Sequence, residues 1–150
     1  MENKEKLPKI NLPKIRRALA HIKADFRRFE MGDWMTRVDA SDFDTEAEVK
    51  KYRPPCGTQA CMAGWLVLLE LPQEQWAKRI SVEESDFRMG YLHSAFDEAA
   101  ELVGFTEEEA DRVFTGPACN IFTPKGQYRE LVKQLNLVFK GRKLRERIKA

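Results

Sequence analysis

The sequence predicts an all-α or mostly α protein: one compact domain of five or six helices around a buried central helix over 58–70, with a small β-hairpin possible near 79–92. Three observations carry this. From Gln59 to Leu71 only Gln59 and Glu70 are strongly polar, so a helix there is apolar on nearly every side and belongs in a core. Two flanking stretches place apolar residues at helical spacing: Ile15, Leu19, Ile22, Phe26 and Phe29, and then Tyr128, Leu131, Val132, Leu135, Val138 and Phe139. Two capping boxes, Ser94 with Asp97 and Thr106 with Glu109, open two short helices in succession.

In chain order, residues 1–10 are lysine-rich and polar and read as a loose basic arm. Pro13 sits near the first position of a helix over 13–31, whose apolar residues fall within about 80° of arc at helical spacing; Gly32 stops it. Residues 33–52 have a weak pattern. Trp34 and Met35 anchor it to the core, and Thr45 caps a short helix to Tyr52. Pro54, Pro55 and Gly57 make a turn, after which Thr58 is the expected N-cap of the central helix. Gly64 within it marks a close approach by a neighbouring backbone. Pro72 breaks the pattern and starts a short helix that carries Trp76 inward.

The alternating fragments Ile80-Val82 and Phe87-Met89-Tyr91 suggest the hairpin. The paired helices 94–103 and 107–114 follow, stopped by Gly104 and by Gly116-Pro117. Their helix-turn-helix outline is not a DNA reader, because the second helix presents Glu107, Glu108, Glu109 and Asp111. The long helix 124–140 closes the domain, and 141–150 is a basic tail.

Charge is distributed unevenly. Residues 1–28 carry nine Lys and Arg against three acids, residues 125–150 carry nine against two, and the segment between carries eight against nineteen. Basic ends therefore flank an acidic centre, either packing on it or offering cations to a polyanion. No apolar run follows the basic start and no stretch reaches the length of about 20 residues that spans a bilayer, so the cytoplasm is the expected compartment and no membrane is involved. Three cysteines argue against a secreted disulfide framework.

The central run Cys56-Gly57-Thr58-Gln59-Ala60-Cys61-Met62-Ala63-Gly64-Trp65 resembles the CGTxxCxAGW signature of a family of small uncharacterised bacterial and phage-encoded proteins. The resemblance extends over about residues 15–115. It takes in His21 and Trp34 before the motif, and the Leu102-Val103-Gly104-Phe105-Thr106-Glu107-Glu108-Glu109-Ala110 stretch running on to Phe114. It implies a shared fold and a phage or mobile-element origin, and it brings no chemistry with it.

Chemistry has three candidate arrangements. Cys56, Cys61 and Cys119 with His21 or His93 form a zinc-type ligand set, though the spacing between the first two is looser than a CxxC knuckle. Cys56, near a helix N-terminus, is a candidate thiol nucleophile, with His21 as base and Asp25 one turn on to orient it. A Cys56–Cys61 disulfide would staple the turn, transiently in a reducing compartment. No phosphate loop, dinucleotide glycine motif, HExxH or GxSxG is present, so no cofactor is expected. The default is an accessory or regulatory interaction protein that binds another macromolecule, most simply a protein, without catalysis. The alternative is a nucleic-acid-associated protein using Lys14, Arg16, Arg17, Arg27, Arg28, Arg142, Lys143, Arg145 and Arg147, and a further one is a cysteine hydrolase or zinc protein centred on Cys56 and His21.

Overall fold

The computed structural model describes residues 7–31, 35–88 and 95–150, without the side chains of 83–88 and of Cys119. Among the described residues seven α-helices and one two-stranded antiparallel sheet make a mostly α domain. The helices are α1 (Leu12–Ala24), α2 (Glu46–Tyr52), α3 (Met62–Leu68), α4 (Trp76–Arg88), α5 (Ala95–Val103), α6 (Glu107–Phe114) and α7 (Pro124–Gly141). The strands are β1 (Met35–Arg37) and β2 (Thr58–Ala60), registered Met35 to Ala60 and Arg37 to Thr58.

Every residue of α3 is buried, and the helix packs on α5 and α1. It is shorter than the predicted 58–70 helix and begins later. Thr58 is not its N-cap; Thr58–Ala60 is strand β2, and the cap is Cys61, whose Sγ accepts from the Gly64 amide at 3.4 Å. The reason lies in non-local partners. One edge of β2 pairs with β1, and on the other side the Glu30 amide donates to the Ala60 carbonyl at 3.2 Å beside a parallel bridge from Phe29. An extended backbone satisfied on both sides outweighs the one capping bond that a helix starting at Thr58 would gain.

The predicted 13–31 helix also divides. α1 ends at Ala24 because Asp25 is extended (φ −159°, ψ 102°) and turns its carboxylate onto the Arg27 amide at 3.1 Å, which starts a 3₁₀ turn over Phe26–Arg28. The apolar stripe survives the break, since Ile15, Leu19, Ile22 and Phe29 are all buried. Residues 79–88 lie in α4, not in a hairpin; 89–92 and the Ser94 cap lie outside the described residues, as do Gly32 and Trp34. The 3₁₀ turn Gln73–Gln75 leads from Pro72 into α4, and Trp76 is buried with its Nε1–H donating to the Leu68 carbonyl at 2.8 Å.

Other expectations are met at the atomic level. Thr45 caps α2 through the Glu48 amide, Met35 is buried, and Thr106 and Glu109 make the reciprocal capping box of α6. Residues 7–10 and 142–150, the described parts of the predicted arm and tail, include contacts to the body of the domain. Ile10 is buried, and the Asn11 amide donates to the Val103 carbonyl at 3.0 Å. At the other end Ile148 is buried against α7, with its N–H and C=O both held by the Asn136 side-chain amide at 2.8 and 2.9 Å. No helix among the described residues is long and apolar enough to cross a membrane.

Candidate functional site

Among the described residues the candidate thiol and imidazole arrangement around the central motif does not assemble. Cys56 and Cys61 are both free thiols. Cys56 is half-buried and its S–H lies 3.6 Å from the Thr58 carbonyl, its own neighbour in the turn; Cys61 is buried as the α3 cap. Asp25 does not pair with His21, because its carboxylate is taken by Arg27 through contacts of 2.6 and 2.9 Å. Among the described residues no three His, Cys, Asp or Glu side chains gather as metal ligands; His93 and the Cys119 side chain lie outside them.

His21 has a different setting. It lies edge-on against Trp65 at 4.3 Å and near Trp76 at 6.1 Å, while its Nδ1 faces the Arg28 guanidinium at 3.3 Å. Burial, and secondarily the Arg28 charge, lower its pKa from 6.5 to about 4. The ring is therefore neutral at physiological pH, and its buried Nε2 has no hydrogen-bond partner. A base this weak, with no carboxylate to orient it and no bond to a thiol, does not activate Cys56. Its surroundings are architectural: the Trp65 Nε1–H donates to the Arg28 carbonyl at 2.8 Å, and Arg28 donates to the His21 carbonyl at 2.9 Å, which locks the 3₁₀ turn over the central motif.

Most of the predicted cationic set is spent internally. Lys14 and Arg17 both reach Glu70, at 2.9 and 3.0 Å, and Lys14 foremost holds that carboxyl below its usual range. Arg27 pairs with Asp25, and Arg28 serves His21. Arg142 forms a fork on Glu109 at 2.6 and 2.7 Å and donates to the Pro8 and Gly104 carbonyls. Arg147 turns onto the carbonyls of Leu144 and Glu146. Arg16, Lys143 and Arg145 stay exposed, and among the described residues no hydrogen bond or ion pair engages their side chains.

A different cationic surface emerges on the outside of α7. Lys125, Arg129, Lys133 and Lys140 are exposed, and at helical spacing they fall within about 80° of arc, flanking the buried side that carries Tyr128, Leu131, Leu135 and Phe139. No carboxylate among the described residues pairs with any of them. The stripe joins two concavities. One, about 690 Å³, opens at the start of α7 between Phe26, Tyr52, Gln59, Phe122 and the cations Arg27, Lys51, Lys125 and Arg129. The other, about 430 Å³, lies beside Arg129, Lys133, Lys140 and the docked Ile148.

Phe122 stands at the mouth of the first cleft and is 99 % exposed. Its position explains why. It immediately precedes Thr123, the N-cap of α7, where an apolar residue ordinarily packs on the fourth helical residue. Here that residue is Gln127, which is buried and fully used: its Oε1 accepts from the Met31 amide at 3.1 Å, and its amide donates to the Ile121 carbonyl at 2.8 Å and to Glu30 at 3.2 Å. The staple has no apolar partner, so the phenyl ring projects into solvent. Comparison with known proteins finds no matching family model, no matching curated protein and no matching solved structure.

Sequence reading passed over Phe122, Gln127 and Asn136. The signal for the first was available in the Phe122-Thr123-Pro124 start with a glutamine where the staple expects an apolar side chain.

Proposed function

We propose that this chain is a non-catalytic interaction protein that binds another macromolecule through the outer face of α7 and the cleft at its start. The observation that carries the reading is the 99 % exposed Phe122 beside the unpaired cations Lys125 and Arg129. Covering a phenyl ring is worth about 1.5–3 kcal/mol, and an exposed aromatic ringed by cations is the composition of a contact centre with a charged rim. The resemblance of the central motif to bacterial and phage-encoded proteins fits an accessory role for a phage or mobile element, acting in the host cytoplasm. A thiol hydrolase finds no support among the described residues: the Cys56 S–H faces the Thr58 carbonyl, His21 packs on Trp65 and faces Arg28, and Asp25 is paired with Arg27.

The test is a photocrosslinking amino acid placed at position 122, with the same residue at exposed Val82 on α4 as the control. Macromolecular adducts in the producing cell are expected from 122 and not from 82. Equal adducts from both positions, or none from 122, would remove the proposal.

A further inference from the structure

Resting on that contact face, we infer that its partner is a single-stranded nucleic acid, laid along α7 with a base stacked on Phe122. The cations are arranged for a flexible string of phosphates. Lys125, Arg129 and Lys133 follow each other at intervals of four residues, about 5–6 Å apart on a helix surface, and Lys140 continues the line two turns further on. From Lys125 to Lys133 the row runs about 12 Å along the helix axis, and Ile148, held on Asn136, sits between Lys133 and Lys140. Two carboxylates lie nearby, Glu130 bonded by the Gln134 amide at 2.9 Å and Glu30 in the cleft bonded by Gln127; both keep their charge, and the cleft's Arg27, Lys51, Lys125 and Arg129 outnumber Glu30 four to one. A row of cations without ion-pair partners among the described residues supplies the contacts by which a phosphate backbone releases its counterions.

The aromatic arrangement separates a single strand from a duplex. Tyr52 already stacks on Phe43 at 6.2 Å and 17°, with the Lys51 ammonium 5.2 Å from its ring centre, and Phe26 is set edge-on against Tyr128. Phe122 alone among these cleft rings has no ring partner. A bare phenyl face beside a cationic groove is a stacking platform for an unpaired base, which a duplex cannot supply without opening. The cleft of about 690 Å³ has room for a flipped-out nucleoside beside the ring.

The inference is tested by fluorescence anisotropy with labelled single strands of about 12 nucleotides, as RNA and as DNA, against the matching duplex and a polyglutamate of equal charge. The expected result is binding at low salt with a logarithmic salt slope of about −3, for four phosphate contacts. Arg129→Glu with Lys133→Glu should cut that slope by about half or more, and Phe122→Ala should weaken binding about tenfold with the slope unchanged. Arg16→Glu on α1 should leave both as they are, with thermal melts confirming that each variant folds.

Absence of strand binding at low salt would overturn the inference. So would equal affinity for duplex or polyglutamate, no effect of Phe122→Ala, or an equal loss from Arg16→Glu. Adducts from position 122 to a protein, with no strand binding, would sink this inference and leave the contact face standing. Neither adducts nor strand binding would remove both.

Discussion

His21 shows how a side chain that looks chemical in sequence becomes a structural liability with a measurable signature. Packed against Trp65 and facing Arg28, it refuses a proton until about pH 4, whereas an unfolded chain accepts one near 6.5. Between those values the unfolded state binds more protons, so stability is full above pH 6.5 and declines as pH falls towards 4. Because the ring is only half-buried, the loss should be about 1–2 kcal/mol, less than the bare shift implies. Urea midpoints measured between pH 6.5 and about 5, above the carboxylate range, should fall with acid in the parent and stay flat in His21→Gln; an unchanged slope in the variant would refute the assignment.

The thiols carry a second residue-scale expectation. Cys61 is buried as the α3 cap and Cys56 is half-buried in the turn, so iodoacetamide mapped by mass spectrometry should modify Cys56 well before Cys61. Equal rates in the native protein would mean that the central helix is open to solvent.

At the scale of elements, the junction after α5 depends on a missing side chain. Gly104 has φ +80°, and a Cβ there would come within 2.3 Å of the Lys9 carbonyl oxygen, in the arm that pairs with Val103. Gly104→Ala adds left-handed strain to a backbone collision and should cost about 2–3 kcal/mol in denaturant unfolding. Gly141→Ala is the fair comparison, since its Cβ meets nothing and it should be neutral or slightly stabilising. Legibility follows the same division between local and distant causes. The α6 capping box, the Thr45 cap and the α7 stripe were readable because each is decided within a few residues. Strand β2 was not, because Thr58–Ala60 is extended only through partners more than twenty residues away in β1 and around Phe29. The internal pairing of the cations was not readable for a related reason: nothing near Lys14 or Arg17 in sequence announces Glu70 as their partner.

Over the whole molecule, the segment at Pro8 and the end of α7 meet at one guanidinium. Arg142, at the end of α7, binds both oxygens of Glu109 at the start of α6, the Gly104 carbonyl after α5, and the Pro8 carbonyl of the N-terminal arm. Its side chain is 9 % exposed, and the Glu109 carboxyl is held below its usual range despite the burial that opposes this, by the Arg142 bonds and the Thr106 amide. Removing the cation leaves a shielded carboxylate and two carbonyls without their donor, so Arg142→Ala should cost about 2–4 kcal/mol. Arg142→Lys should recover only part, because a single ammonium cannot reproduce the fork. The carboxylate's folded pKa lies below its unfolded value of 4.5, so its contribution is complete above that pH and is lost as pH falls further, separating it from the His21 transition at higher pH. A clasp joining these two segments also predicts where the variant loosens first. Proteolysis of Arg142→Ala should begin in the arm around Lys9 and spare the buried α3, whereas cleavage spread evenly along the chain would mean that Arg142 acts only on global stability.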